Sequence, residues 1–260
     1  MISLNIQESG KGPNLVLIHG WGMNNLVWQS WLADLEKSYR VICVELPGHG
    51  DSEYGEYWKI NELLEAMAEQ LPSNCSVLGW SLGGMVALAY ASEYPQRING
   101  LVMLASTPKF VQSADWLYAQ PKDMFDAFAD SLVKKPLVTI KRFLKLQTDG
   151  GEPSKEINNF LKNVIKKSDE TSKIGLVSGL DILCHNDFRE LLKNLTCPIM
   201  MLLGEKDRVV PVEVGNESIN INPRVEVCVI GGATHVPFLS HPFEVSQALK
   251  QFMPAGECSS

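Results

Sequence analysis

A glycine-rich stretch at residues 75–85 constrains the fold of this chain more than any other feature. It carries the pattern G-x-S-x-G at Gly79, Ser81 and Gly83, after an apolar run and before a helix-like run that spans 82–93. The pattern alone occurs by chance, and it then marks only a glycine-rich turn with a capping serine. Between a strand and a helix, however, a serine in a sharp, strained turn projects its hydroxyl above the sheet. We therefore predict a nucleophilic serine at this position.

Apolar runs and helical spacing alternate along most of the chain. Residues 2–8 alternate in strand fashion, and a helix is predicted at about 59–71. Continuous apolar runs predict buried strands at 15–18, 41–46, 100–105, 198–203 and 225–230, and a final helix is predicted at 242–252. Alternating strands and helices indicate an α/β fold with a mostly parallel central sheet and helices on both faces.

The alternation is interrupted between about Thr107 and Arg189, where apolar residues recur at helical spacing. Pro121, Pro136 and Pro153 stand where helices would begin. We predict a helical cap of about four helices inserted into the sheet domain. The predicted division is therefore residues 1–107 for the first part of the core, 108–189 for the cap and 190–260 for the second part of the core.

A serine hydroxyl needs a base to take its proton and a third group to orient that base. Asp207 and His235 follow the last two predicted strands, and both lie in loops at the carboxyl ends of those strands. The order Ser81, Asp207, His235 is that of α/β-hydrolases. Taken alone, Asp207 is equally typical of a turn, but three matching elements in order favour a catalytic triad.

Other histidines and acids compete for these roles: His19, His49, His185 and His241 for the base, and Glu205 and Asp181 for the acid. None of these histidines lies in a glycine-rich loop directly after the last strand. Glu205 is close to the end of its strand, and Asp181 belongs to the predicted insertion. We therefore favour His235 and Asp207.

Acyl transfer also needs backbone N–H groups to bind the developing oxyanion. One is predicted to be the N–H of Leu82, directly after the nucleophile. The second is predicted to come from the turn His19-Gly20-Trp21-Gly22, at the N–H of Trp21, because this turn follows an early buried strand. The alternative for this segment is a plain tight turn.

Charge and cysteine usage limit the partners and the compartment. The formal net charge of −7 argues against a general nucleic-acid binder. The six cysteines form no CxxC pair, which is typical of reduced thiols in a cytoplasmic protein. We see no signal-peptide pattern and no apolar run of about 20 residues, so no membrane association is expected. We also expect a monomer with no metal and no cofactor.

These motifs resemble the α/β-hydrolase superfamily over nearly the whole chain. They resemble most closely the BioH-type pimeloyl-acyl-carrier-protein methyl ester esterases of biotin synthesis. The resemblance is carried by segments 19–22, 79–84, 142–148 and 233–242, of which the Arg-Phe-Leu-x-Leu-Gln run inside the cap is the most specific. It implies that the serine attacks the methyl ester of a pimeloyl chain carried on acyl carrier protein, releasing methanol.

The resemblance also implies substrate contacts. Trp21, Ser81, Leu82 and His235 would contact the ester, and the acyl channel would be lined by Phe143, Leu144, Lys145, Leu146 and Gln147. Lys145 departs from the small residue expected in that run, and we expect it to face solvent or the carrier.

The charge distribution points to the same partner. Residues 134–167 contain nine basic and three acidic side chains, a net +6, which leaves −13 on the rest of the chain. A basic cap suits an acidic partner such as an acyl carrier protein, although charge runs are often only a solvated surface. We predict Arg142 as the main docking residue, with Lys141 and Lys162 beside it.

The sequence is compatible with two functions besides the esterase. The same scaffold supports general small-ester hydrolases, carbon–carbon bond hydrolases and acyltransferases. A non-catalytic protein that has kept the pocket is a third possibility, against which the complete serine, aspartate and histidine set argues.

Overall fold

The computed structural model describes residues 2–52, 54–151, 155–167 and 172–253. Its sheet has seven strands: β1 (Ile6–Gly10), β2 (Asn14–Ile18), β3 (Arg40–Val44), β4 (Cys75–Trp80), β5 (Ile98–Leu104), β6 (Ile199–Gly204) and β7 (Val225–Ile230). Their order is β1-β3-β2-β4-β5-β6-β7. Every neighbouring pair is parallel except β1 and β3. The predicted mostly parallel sheet is confirmed.

Eleven α-helices belong to the described residues: α1 (Gln29–Leu35), α2 (Ile60–Gln70), α3 (Leu82–Glu93), α4 (Lys122–Lys134), α5 (Pro136–Thr148), α6 (Lys155–Lys167), α7 (Lys173–His185), α8 (Arg189–Asn194), α9 (Val214–Ile221), α10 (Pro237–Ser240) and α11 (Pro242–Phe252). The predicted bounds of α3 and α11 agree with these. No described helix combines the length and the apolar character that a membrane crossing requires.

Both faces of the sheet are buried, as the continuous apolar strand runs predict. In β2, Val16 and Ile18 belong to one hydrophobic cluster, whereas Leu15 and Leu17 belong to another. Successive side chains of a strand point to opposite faces, so the two clusters form one core on each side of the sheet. α3 packs against β4 and β5, and its residues from Leu82 to Ala91 are all buried.

Five helices, α4 to α8, lie between β5 and β6 in the chain, where the strand and helix alternation stops, and four of them, α4 to α7, lie wholly within the predicted insertion 108–189. Pro121 immediately precedes α4 and Pro136 is the first residue of α5, because proline fixes a helical φ and needs no hydrogen-bond acceptor there. Pro153 lies outside the described residues.

The amino terminus differs from its predicted strand. β1 begins only at Ile6, although Ile2 and Leu4 are buried as their alternation predicts. The N–H groups of Leu4 and Asn5 bond to side chains instead of a strand: the Leu4 N–H donates to Gln70 Oε1 at 3.1 Å and the Asn5 N–H donates to Ser52 Oγ at 2.6 Å. The alternating pattern reports burial, but it does not show whether a partner strand is present.

The topology brings three loops to one edge of the sheet. β4, β6 and β7 are parallel to one another through β5, so their carboxyl ends share an edge. Ser81 directly follows β4, Asp207 lies three residues after β6, and His235 lies five residues after β7.

Candidate active site

Ser81 occupies the turn between β4 and α3 with a strained backbone. Its φ is 56° and its ψ is −118°, a region that residues with a Cβ rarely adopt. The turn is fixed from both sides: the Ser81 N–H donates to the Leu104 carbonyl at 3.0 Å, and the Ser106 hydroxyl donates to the Ser81 carbonyl at 2.7 Å. The hydroxyl of Ser81 is therefore held in one place at the edge of the sheet.

The structure brings Ser81, His235 and Asp207 into one hydrogen-bonded series. His235 Nε2 lies 2.9 Å from Ser81 Oγ, and His235 Nδ1 lies 2.7 Å from Asp207 Oδ2. The side chains of His235 and Asp207 have no exposed surface. With a neutral imidazole, the carboxylate selects the tautomer that carries its proton on Nδ1, which leaves Nε2 to accept the serine proton.

The second oxygen of Asp207 is also bonded. Oδ1 accepts the N–H of Val209 at 2.7 Å and the N–H of Val210 at 3.0 Å. A carboxylate that accepts two backbone N–H groups has a fixed plane. Oδ2 is consequently directed at the histidine.

The backbone of His235 is anchored to both the sheet and the helical insertion. Its carbonyl accepts the indole N–H of Trp80 at 2.8 Å, and its N–H donates to the carbonyl of Gln147 at 3.1 Å. Trp80 ends β4 and Gln147 belongs to the last turn of α5. The ring of His235 is therefore positioned by elements on both sides of the site.

Two segments adjoin Ser81: Leu82 follows it directly, and the turn after β2 approaches it at Gly20, where an added Cβ would lie 3.3 Å from the Cβ of Ser81. Leu82 is the first residue of α3, so its N–H has no partner within the helix. Trp21 lies in the turn after β2, and its indole N–H donates to the carbonyl of Leu176 in α7 at 2.8 Å. The tryptophan side chain thus ties this turn to the helical insertion.

His19 and His49 support that turn through hydrogen bonds to backbone N–H groups. The Leu46 N–H donates to His19 Nε2 at 3.0 Å, the Gly22 N–H donates to His49 Nε2 at 3.4 Å, and the ring centroids lie 5.4 Å apart. Burial lowers the pKa of His19 to about 4 and, with the neighbouring His19, that of His49 to about 3. Both imidazoles are therefore neutral acceptors for backbone groups near pH 7.

The other competing residues have partners elsewhere. Asp181 accepts the hydroxyl of Tyr57 at 2.5 Å and pairs with His185 Nδ1 at 2.8 Å, all in an exposed cluster at α7. Glu205 accepts the N–H of Gly232 at 2.7 Å. His241 Nδ1 lies 2.8 Å from the hydroxyl of Ser240.

An apolar cavity of about 90 Å³ adjoins the turn after β2 through Trp21. Its wall consists of Trp21, Phe110, Gln120, Met124, Phe125, Phe128, Phe143, Leu146, Leu180, Leu183 and Val209. Phe128 and Phe143 each meet the indole of Trp21 edge-on, with ring centroids 5.4 Å apart. Ser81 is not part of this wall, and the apolar lining suits an aliphatic group.

The five residues expected to line the acyl channel point in different directions around helix α5, so only some of them line the cavity. Phe143 and Leu146, three positions apart, line the cavity. Leu144 is buried in the other hydrophobic cluster, and Lys145 is exposed. Gln147 is buried and reaches the site through its carbonyl bond to His235.

The basic residues expected to dock a carrier are on the outer surface of the insertion. Arg142 is exposed. A groove between α5 and α6 is lined by Lys141, Leu144, Lys145, Lys155, Asn158, Asn159 and Lys162. Within the described part of the chain, none of these four lysines is in an ion pair, so their charges are available to a partner.

Sequence reasoning did not identify Glu45 as a supporting residue. This buried carboxylate accepts the N–H of Asn25 at 2.9 Å, the N–H of Asp51 at 2.7 Å and the side-chain amide of Asn5 at 2.8 Å. Through Asn5 and Asn25, it joins the segments that precede and follow the turn at residues 19–22. An acidic residue directly after the apolar run of β3 is the signal that could have identified it.

The His, Cys, Asp and Glu side chains are spread over the part of the chain that the structure describes. Among them, no three His, Cys, Asp or Glu side chains are close enough together to hold a metal ion. The five cysteines in the described ranges are free thiols, and burial raises the pKa of Cys43 to about 12 and that of Cys75 to about 11. These thiols are therefore protonated near pH 7.

Comparisons with known proteins agree with the α/β fold of the chain. The family model for the alpha/beta hydrolase fold matches residues 13–242. Among solved structures, a bromoperoxidase from Bacillus anthracis superposes with a TM-score of 0.87 at 24% identity, covering 96% of this chain and 95% of that one. An esterase from Exiguobacterium antarcticum superposes with a TM-score of 0.86 at 23% identity, covering 96% and 94%. At these identities the structural matches establish the fold.

The sequence relatives are more specific. A protein from Nitrosomonas europaea named "Pimeloyl-[acyl-carrier protein] methyl ester esterase" is 34% identical over 242 residues, covering 93% of this chain and 96% of its own length. A protein of the same name from Pseudoalteromonas atlantica is 37% identical over 242 residues, covering 92% and 93%. The chain therefore belongs to the α/β-hydrolase family and, within it, to the family of pimeloyl-acyl-carrier-protein methyl ester esterases.

Proposed function

We propose that this protein is a serine carboxylesterase that hydrolyses the methyl ester of pimeloyl-acyl-carrier-protein. The products are methanol and the free carboxylate on the carrier, the form that the next steps of biotin synthesis require. The single observation that carries the proposal is the series of short hydrogen bonds from Ser81 through His235 to Asp207. A cytoplasmic location and a monomeric state are further parts of the proposal.

In the first half of the reaction, Ser81 Oγ attacks the ester carbonyl while His235 Nε2 takes the hydroxyl proton. The carbonyl oxygen becomes an oxyanion, which the N–H groups of Leu82 and Trp21 stabilise. Asp207 stabilises the imidazolium that forms. His235 then gives its proton to the departing methoxide, so methanol leaves and an acyl-enzyme on Ser81 remains.

In the second half, a water molecule attacks the acyl-enzyme and His235 takes one of its protons. The tetrahedral intermediate collapses, and the proton returns from His235 to Ser81 Oγ. The serine is restored, and the pimeloyl chain leaves as a carboxylate. Both halves use the same base and the same oxyanion donors.

The apolar cavity supports an aliphatic substrate. Ten of the eleven residues in its wall are apolar or aromatic, with Gln120 as the exception. Each buried methylene of a ligand contributes about 0.8 kcal/mol in such surroundings. Burial of the substrate's aliphatic chain can thus supply the binding energy that positions the ester at Ser81.

The lysine groove supports a carrier-bound substrate. Lys141, Lys145, Lys155 and Lys162 gather positive charge on the insertion of a chain whose net charge is −7. Acyl carrier proteins are acidic, so their approach to this surface is favoured, mainly through the association rate. Arg142 is exposed on α5, the helix that carries Lys141 and Lys145. Its guanidinium can donate two hydrogen bonds to one carboxylate.

The direct test compares two substrates. Purified protein is given the carrier-linked pimeloyl methyl ester and, separately, a short p-nitrophenyl ester, and methanol or nitrophenol release is measured over a range of salt concentrations. We expect a higher kcat/KM for the carrier-linked ester, falling as salt rises. A preference for the short ester would favour a general esterase. Failure to restore growth of a biotin-requiring strain that lacks its own esterase would contradict the proposed pathway step.

A further inference from the structure

The side-chain amide of Gln120 bonds to the loop that carries Asp207. Gln120 Nε2 donates to the carbonyl of Arg208 at 3.1 Å and to the carbonyl of Val209 at 2.6 Å. A glutamine amide has two N–H groups, so each carbonyl takes one of them. Gln120 lies in the segment between β5 and α4, far from Asp207 in sequence.

The two carbonyls belong to the same peptide groups that orient the catalytic acid. The Arg208 carbonyl shares a peptide group with the Val209 N–H, and the Val209 carbonyl shares one with the Val210 N–H. Both N–H groups donate to Asp207 Oδ1, at 2.7 and 3.0 Å. In a trans peptide the C=O and N–H point in opposite directions, and the described chain contains no cis bonds. Gln120 and Asp207 therefore hold the same two peptide groups from opposite sides.

The main chain of Gln120 is itself fixed. Its N–H donates to the carbonyl of Phe110 at 3.0 Å, and its carbonyl accepts the N–H of Gln112 at 2.9 Å. These bonds close the segment 110–120, between β5 and α4, into a loop that we call the strap. The side-chain amide therefore extends from a main chain that is held by two hydrogen bonds. Gln120 also forms part of the cavity wall.

We infer that Gln120 is a positioning residue for the proposed hydrolysis: its amide orients and polarises the two peptide groups that direct the Asp207 carboxylate at His235. This inference rests on the proposed function. Hydrogen bonds in a chain strengthen one another, so the series extends from the strap through two peptide groups to Asp207, His235 and Ser81. Without Gln120 the carbonyl ends lose their donor, and the carboxylate loses its preferred plane.

The test uses p-nitrophenyl acetate, an ester too short to depend on the cavity. Gln120→Met removes both donors at a similar length, and Gln120→Lys keeps donors that can reach the carbonyls. Gln112→Met is the matched control, because this glutamine lies in the same strap, is exposed and donates to the carbonyl of Leu117 at 2.8 Å. We expect Gln120→Met to lower kcat about tenfold with KM changed less than about twofold. Gln120→Lys should recover kcat to within about threefold of the wild type, and Gln112→Met should match the wild type.

A double-mutant cycle separates positioning from a general structural role. With Asp207 replaced by Asn, the further change Gln120→Met should alter kcat less than about twofold, because the carboxylate it orients is already absent. Equal losses in both backgrounds, or a wild-type kcat for Gln120→Met, would overturn the inference. If Gln120→Met does not fold, Gln120→Ala takes its place in the same cycle.

The wild type decides whether the proposed function itself holds. Wild-type protein that neither hydrolyses the acetate ester nor reacts at Ser81 with a fluorophosphonate would contradict the proposed function. Wild-type protein that does both, together with an unaffected Gln120→Met variant, would contradict the role of Gln120 alone.

Discussion

Gly79 and Gly83 lie so close together that a methyl group on Gly79 would overlap the backbone carbonyl of Gly83. Their contact brings the end of β4 against the first turn of α3, with Ser81 between them. A backbone carbonyl cannot rotate out of the way as a flexible side chain can. The glycines of the G-x-S-x-G pattern are therefore required by this close approach, and the strained turn at Ser81 depends on them.

Replacing Gly79 by Ala should destabilise the fold and abolish esterase activity. The overlap with Gly83 forces β4 and α3 apart, at a cost of about 3 kcal/mol or more. Urea unfolding followed by circular dichroism measures this loss. Gly55→Ala is the matched control, because a Cβ there would meet nothing within 4 Å, and its stability should stay within about 0.5 kcal/mol of the wild type. Similar midpoints for Gly79→Ala and the wild type would show that the two elements can separate freely.

The buried pair His19 and His49 should make the fold acid-sensitive. Their pKa values fall to about 4 and about 3 in the folded chain, whereas an unfolded histidine titrates near 6.5. Below about pH 6.5, these two histidines therefore bind protons in the unfolded state but stay neutral in the folded state until the pH nears 4. The contribution is complete above that pH and is lost as the pH falls towards 4, by on the order of 2 kcal/mol per histidine at pH 5.

Urea unfolding at pH 7.5 and pH 5.0 measures this effect. His49→Gln should be less stable at pH 7.5 but should show a smaller drop between the two pH values. His185→Gln is the control, because the side chain of His185 is 68% exposed, and its drop should equal that of the wild type. A drop unchanged by His49→Gln would mean that other groups cause the acid sensitivity.

The hydrogen-bonded series of Ser81, His235 and Asp207 was predictable from sequence because each residue lies near a local sequence signal. Ser81 directly follows β4, and Asp207 and His235 lie in the loops after β6 and β7. All three strands have strong apolar signals, and parallel strands bring such loops to one edge. Helix phase inside the insertion was not resolved in the same way. The resemblance implied one channel over 143–147, with only Lys145 expected to face outward, but a helix turns by 100° per residue, so Phe143 and Leu146 line the cavity whereas Leu144 packs in the other hydrophobic cluster.

The support of the site was less accessible, because it depends on contacts between distant segments. Glu45 satisfies backbone groups of Asn25 and Asp51, and Gln120 reaches the loop after β6. Neither pairing follows from spacing, since each needs the tertiary arrangement of loops whose sequences carry no motif. A single acid or glutamine in a loop is more often a surface residue.

Charge reversal in the lysine groove should weaken the carrier-linked substrate selectively. Lys141→Glu combined with Lys162→Glu replaces two of the positive charges that line the groove, so the acidic carrier should be repelled and kcat/KM should fall by about tenfold or more at low salt. Turnover of a short p-nitrophenyl ester should stay within about twofold, because the groove is separate from the cavity.

Lys11→Glu is the matched control for charge alone. Lys11 is exposed in the turn between β1 and β2, at the amino end of β2 and away from the edge that carries Ser81. This variant should process the carrier-linked ester like the wild type. Equal losses for Lys11→Glu and the groove variant would indicate a general effect of net charge and would remove the groove as a docking surface.

The central claim is that Ser81 forms a covalent acyl-enzyme with the pimeloyl chain. Rapid acid quenching of the protein mixed with carrier-linked pimeloyl methyl ester, followed by peptide mass analysis, tests it most directly. The account predicts an acyl adduct on the peptide that contains Ser81, formed together with methanol and absent from Ser81→Ala. An adduct on another residue, or full methanol release by Ser81→Ala, would contradict it.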